Sequence, residues 1–123
     1  MKILVIEDEP VELKLASALL LAAGHSVKGA EAAEHAFAAI RNARPEIILL
    51  DMTLPGMDGL TLVRRLKADP ATHDISIVAV TSNPEMFSRQ DVLDAGCDAY
   101  LVKPLNTRTL PHTLDDIVVE ERS

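Results

Sequence analysis

At 123 residues, 48% of them hydrophobic, the chain has the size of one ordinary domain and can bury a core without disulfides or metal staples. Its single cysteine, Cys97, cannot close an internal disulfide, and neither a signal peptide nor an apolar run long enough to cross a bilayer is visible, so a reducing cytoplasm with no membrane attachment is expected. The net charge of -7, from 19 acidic and 12 basic residues, argues against direct nucleic-acid binding, which needs clustered Lys or Arg, and disfavours acidic partners.

In chain order, Lys2-Ile3-Leu4-Val5-Ile6 is an unalternating apolar run, the mark of a strand buried on both faces, and Glu7-Asp8-Glu9 follows at once. Pro10 suits the first turn of a helix expected to run to about Ala23, with acidic residues where the helix dipole favours them and Gly24 as a left-handed cap. Val11, Leu15, Leu19 and Ala22 share one face at spacings of three and four and are expected inward. Leu13, Leu20 and Leu21 fall largely off that face, either as scattered surface leucines or as a docking patch for a partner helix.

Ser26 to Gly29 reads as a short strand, and Glu31 to Ala43 as an Ala-rich helix with Ala33, Ala36, Phe37 and Ile40 inward. Pro45 ends that segment and launches Ile47-Ile48-Leu49-Leu50, a central buried strand that stops on Asp51. Turn formers fill 52–59, where Asp58 suits the cap of a helix to about Ala68. A loop over 69–74 leads to a strand from Ile75 to Val80 that ends on Thr81. The next helix, about Glu85 to Ala95, has a thin inward set of Phe87, Val92 and Leu93 and is expected to be the most mobile element. Gly96 stops it, and Asp98 to Val102 forms a fifth strand before Lys103-Pro104. A last helix starting near Asn106 or Thr107 would place Leu110, Leu114, Ile117 and Val118 inward, with Pro111 favouring a late or irregular start. Five strands alternating with five helices, without repeats or linkers, predict one α/β domain over 1–123 with a parallel sheet.

In such a sheet, ligands collect at the carboxyl ends of the strands. Those ends carry Glu7 and Asp8, Asp51, Thr81 and Lys103. Crowded carboxylates repel one another unless a hard cation or a lysine offsets them, and a few carboxylates with water is the usual setting for Mg²⁺. A lysine and a hydroxyl opposite a metal make a cradle for a phosphoryl group. Any one of these residues alone is more readily a turn former or helix cap; all of them in phase with strand ends is a different matter.

From Lys2 to about Val119 the chain resembles the receiver domains of two-component response regulators. Glu7-Asp8 look like the family's metal-binding acidic pair, Asp51 like its phosphoacceptor, Thr81 and Lys103 like its phosphoryl-sensing hydroxyl and lysine, Pro104 like its cis proline, and Tyr100 like its switch aromatic. The resemblance implies a flavodoxin-like (βα)5 three-layer sandwich with strand order 2-1-3-4-5. It also implies Mg²⁺ held by Glu7 (through water), Asp8, Asp51 and the carbonyl of Thr53, and phosphoryl transfer to Asp51 from a histidine kinase or histidine phosphotransfer protein. Thr81 and Lys103 would bind phosphoryl oxygens, Thr53 and Asn83 would border the water that later hydrolyses the acyl phosphate, and the output would be altered binding of a downstream protein.

Glu7 replaces the Asp common at its position, and Ser82 a frequent Ala or Gly. The last helix lacks the charge pattern of receivers that dimerise to drive DNA binding, so transcriptional output through such a dimer is not expected; with no effector domain after Ser123 a stand-alone receiver is expected, a piece of a longer regulator or hybrid kinase being the alternative. A flavodoxin-like electron carrier would want aromatics to stack on a flavin, where this chain has only Phe37, Phe87 and Tyr100. A haloacid-dehalogenase-type phosphatase would need a second acid two residues after Asp51, where Thr53 stands. His25, His35, His73 and His112 show no metal-ligand spacing, and Cys97 is expected as a small buried hydrophobe.

Overall fold

A computed structural model describes residues 1–54, 56–105, 110, 113 and 114. Its elements are β1 (Lys2–Ile6), α1 (Pro10–Ala22), β2 (Ser26–Ala30), α2 (Ala33–Asn42), β3 (Ile47–Asp51), α3 (Gly59–Ala68), β4 (Ser76–Thr81), α4 (Arg89–Asp94) and β5 (Ala99–Val102). The five strands form one parallel sheet in the order β2-β1-β3-β4-β5. The expected last helix and Pro111 lie outside the described residues, apart from Thr113 and the buried Leu110 and Leu114.

The apolar runs dictate this sheet because each central strand presents side chains to two covered faces. Leu4, Ile6, Ile48, Leu50, Ile77 and Ala79 pack on one side with Ala36 and Ile40 of α2, Leu62 and Leu66 of α3, and Val92 of α4. Ile3, Val5, Ile47, Leu49, Val78 and Val80 pack on the other with Ala16 and Leu20 of α1 and with Leu110 and Leu114. Cys97 joins the first cluster, and burial pushes its thiol pKa up to about 12, so it behaves as an inert small hydrophobe.

Two helices depart from expectation. α1 turns its other side inward: Ala16 and Leu20 are buried and Leu13 and Leu19 partly so, whereas Val11 is 73% and Leu15 48% exposed and Ala22 lies at the surface. Leucines on every side of this helix leave the period ambiguous, and the small Ala16 lets it lie close on the sheet. Gly24 does follow the helix in the left-handed region, with φ 94°.

α4 begins at Arg89, four residues later than the pattern suggests. The carbonyl oxygen and Oδ1 of Asn83 each accept from Met86 N at 3.2 Å, closing a separate turn over 84–86, and Ser88 then caps the helix by accepting from Asp91 N at 3.2 Å. Between those two caps Phe87 goes into the core instead of lying along a continuous helix. The first turns of α1 and α3 are capped in the same manner, by Glu9 on Val11 N at 3.1 Å and by Asp58 on Thr61 N at 2.8 Å.

Candidate functional site

The carboxyl ends of β1, β3 and β4, with the segment after β5, meet at one edge of the sheet. Glu7 leaves β1 with its N–H donating to Ala30 O at 2.9 Å, which fixes the turn next to β2. Asp51 is the last residue of β3, and its Oδ1 accepts from Thr53 N at 3.1 Å. Thr81 closes β4 one residue past the Asp51–Val80 register pair; it is fully buried, and its Oγ1 accepts from Asn83 N at 2.9 Å. Lys103 follows β5, its N–H donating to Thr81 O at 2.8 Å, and its peptide bond to Pro104 is cis.

One acid-bearing oxygen from each of Glu7, Asp8 and Asp51 comes within 4.8 Å of the others, the one such group among the described residues. Glu7 and Asp51 are buried and Asp8 is exposed. Lys103 Nζ donates to Glu7 Oε1 at 2.6 Å, to Glu12 Oε2 on the first turn of α1, and reaches Asp51 Oδ2 only at 3.5 Å. Glu7 Oε2 is buried without a hydrogen-bond partner. A lone buried carboxylate oxygen beside two further acids is the donor set that a hard, oxygen-preferring cation satisfies, so these residues fit Mg²⁺.

The electrostatics record the same shortage of positive charge. Burial, then the neighbouring Asp51 and Glu12 carboxyl groups, raise the Glu7 pKa to about 9, with Lys103 pulling the other way. The Glu12 carboxyl is held below its ordinary value by the neighbouring Glu7 carboxyl and by its hydrogen bond from Lys103. Burial works to lower the Lys103 pKa, but Glu12 and Glu7 outweigh it, and the ammonium stays charged well beyond neutral pH.

Glu7, Asp8, Asp51 and Lys103 are therefore together, with the Thr53 backbone on Asp51 and Thr81 on the adjoining strand end. Tyr100 stands apart from the charges: half-buried on β5, it donates its hydroxyl to Phe87 O at 2.6 Å. His25 Nδ1 lies 3.1 Å from the terminal amine, far in sequence from the acids, and His112 is outside the described residues. Two participants escaped the sequence reading. Glu12 looks like an ordinary first-turn acid, and only the fold brings it to Lys103. Gly59 looks like a turn glycine, yet a Cβ there would sit 2.6 Å from Met52 Cα, so its absence lets α3 start against the residue after Asp51.

A doubly covered parallel sheet with three acids and a lysine at its carboxyl edge places the chain among the open α/β domains whose sites lie at the carboxyl ends of their strands. The chain matches the response regulator receiver domain family over residues 3–115, and it belongs to that family of two-component signalling proteins. It is 30% identical over 117 residues to Protein PilH of Pseudomonas aeruginosa, covering 95% of this chain and 97% of PilH. It is 40% identical over 109 residues to the phosphate regulon transcriptional regulatory protein PhoB of the same organism, covering 88% of this chain and 47% of PhoB. The chain spans less than half the length of several curated relatives it matches. Among solved structures, it superposes with a TM-score of 0.84 at 30% identity on the receiver domain of the sensor histidine kinase PA1611 of P. aeruginosa PAO1, covering 94% of each chain. That structure is described with a magnesium ion coordinated in its active-site cleft.

Proposed function

We propose that this chain, over 1–123, is a cytoplasmic receiver domain that takes a phosphoryl group onto Asp51 from a phosphohistidine of a histidine kinase or phosphotransfer protein, in a Mg²⁺-dependent reaction, and thereby switches binding of a downstream protein. The observation that carries the reading is the convergence of Glu7, Asp8 and Asp51 around one point with Lys103 beside them. Glu7 through water, Asp8, Asp51 and the Thr53 carbonyl would hold the ion, which supplies positive charge to the transferring oxygens. An Asp51 carboxylate oxygen forms the new O–P bond as the N–P bond breaks and its electron pair returns to the imidazole. Lys103 takes one phosphoryl oxygen and Thr81 another, so the protein catalyses its own modification chiefly by positioning. Thr53 and Asn83 border the water that later hydrolyses the acyl phosphate. The exposed Leu15, which lines the same pocket as Lys103, offers the phosphodonor protein an apolar approach. No role in nucleic-acid or membrane binding is proposed for a domain of charge -7.

The readout runs through two contacts that end on one turn. Thr81 Oγ1 accepts from Asn83 N, which opens the turn, and Tyr100 donates to Phe87 O, which follows it. A hydroxyl drawn toward a phosphoryl group on Asp51 shifts that turn, and with it the partner of Tyr100 and the start of α4.

Acetyl phosphate tests the reading: intact-protein mass spectrometry is expected to show a single phosphoryl addition that requires Mg²⁺ or Mn²⁺ and is lost in Asp51→Asn. Equal uptake by Asp51→Asn would refute Asp51 as the acceptor.

A further inference from the structure

The structure assigns Glu12 the role of a positioning residue that parks the Lys103 ammonium away from Asp51. It rests on the phosphoacceptor reading above and deepens it, because neither the family pattern nor the strand ends give residue 12 a part. Glu12 lies outside the convergent group of Glu7, Asp8 and Asp51. Its contact is with the lysine: Lys103 Nζ donates to Glu12 Oε2 and to Glu7 Oε1, and both contacts are closer than the 3.5 Å to Asp51 Oδ2, which is at the limit of a hydrogen bond.

An ammonium has three hydrogens and no acceptor, so its position is set by the balance among its carboxylates. Glu12, on α1, draws Lys103 toward that helix, while Glu7 and Asp51 hold it from the group of acids at the strand ends. Once a cation engages Glu7, Glu12 is the remaining carboxylate that competes with a phosphoryl group on Asp51 for the lysine. Glu12 sits in the first turn of α1, where the positive end of the helix stabilises its charge and keeps it an acceptor. Its side chain is 45% exposed, against 13% for Lys103, so the hold is moderate and the lysine can leave it. Glu12 thereby sets the fraction of time Lys103 is available to the phosphoryl group, and with it the affinity and lifetime of that group.

Two variants and two measurements test this. Titration of beryllofluoride, a phosphoryl mimic, into the Mg²⁺-loaded protein is expected to show Glu12→Gln binding about threefold tighter than the parent, the scale of one half-exposed ion pair. Glu12→Asp keeps the charge but shortens the reach, and it is expected to follow Glu12→Gln. If Glu12→Asp instead follows the parent, charge alone matters and the positioning role is overturned. In the metal-free protein, exchange of the Lys103 ammonium protons with water, followed by NMR, is expected to quicken about threefold or more in both variants. Unchanged exchange in Glu12→Gln would mean that the ammonium is not held by Glu12, and would overturn the inference while leaving the receiver reading intact. A parent that gains no phosphate at Asp51 from acetyl phosphate would overturn the receiver reading and this inference together, whereas a parent that is modified but indifferent to residue 12 overturns this inference alone.

Discussion

The two sides of β3, the strand that ends on Asp51, are held by different physics. On the α1 side, Lys103 is gathered by Glu7, Glu12 and Asp51, a network of one ammonium and three carboxyl groups, two of them buried. On the α4 side, Thr81 and Tyr100 each reach the turn after β4 by one neutral hydrogen bond, and the helix beyond is six residues long with Val92 as its buried residue. Charges in a low-dielectric setting respond to ions and protons, while single neutral bonds near a short helix respond to small displacements. Under the proposed function, one side would receive charge and the other would move when charge arrives. Such a contrast can be broken at either end.

The largest effect is expected from Lys103→Ala. It leaves the buried Asp51 without its cation and Glu7 Oε1 without its donor, and loss of one partner of such a group costs about 3 kcal/mol in the metal-free protein. Urea denaturation without divalent ions measures it, and Mg²⁺ is expected to recover part of the loss by supplying another positive charge. A loss no larger than that of a surface lysine would show that the charged side carries no special burden.

Next in size is the joint effect of pH and Mg²⁺ through Glu7. Its folded pKa of about 9 lies above the unfolded value of 4.5, so the folded state binds the proton more tightly. That contribution is complete below the unfolded value and is lost as the pH rises toward 9, so the metal-free melting temperature is expected to fall across that window. A cation favours the ionised Glu7, so stabilisation by Mg²⁺ is expected to grow over the same range, reaching about 2.7 kcal/mol at a hundredfold excess over its Kd. Glu7→Gln is expected to flatten the metal-free profile, and Asp8→Ala to remove the response to Mg²⁺. A parent profile that is level from pH 5 to 9 would contradict the burial of an acid with one oxygen unpartnered.

What could be read from the chain follows the same division. The buried strands were legible because Ile47 to Leu50 and Ile77 to Val80 admit no amphipathic alternative, and a strand's carboxyl end is a fixed place, so Glu7, Asp8, Asp51, Thr81 and Lys103 could be set at one edge without coordinates. The strand order needed the family resemblance, since local pattern does not say which strands are neighbours. The inward face of α1 was misread because Leu13, Leu15, Leu19, Leu20 and Leu21 surround the helix, and tertiary packing alone chooses Ala16 and Leu20. The start of α4 was misread because Asn83 and Ser88 both make good caps and only the burial of Phe87 selects between them. Glu12 was missed because its partner is 91 residues away. Long-range charge pairing has no local signature, which is why the charged side was legible in its acids and not in the way they share their lysine.

The smallest effect is expected on the other side, from Tyr100→Phe. The ring stays and one neutral hydrogen bond to Phe87 O is lost, so the cost is about 1 kcal/mol, well below that of Lys103→Ala. The carbonyl of Phe87 belongs to the link between the Asn83 turn and α4, so its release loosens the segment that Thr81 adjoins without touching Glu7, Asp8 or Lys103. Uptake of phosphate from acetyl phosphate is therefore expected to match the parent, while the amide shift changes that beryllofluoride induces over 84–102 become smaller. Equal stability losses in Tyr100→Phe and Lys103→Ala would erase the distinction between the two sides. Parent-sized shifts over 84–102 in Tyr100→Phe would sharpen it differently, by placing the whole of the coupling on the Thr81 to Asn83 contact.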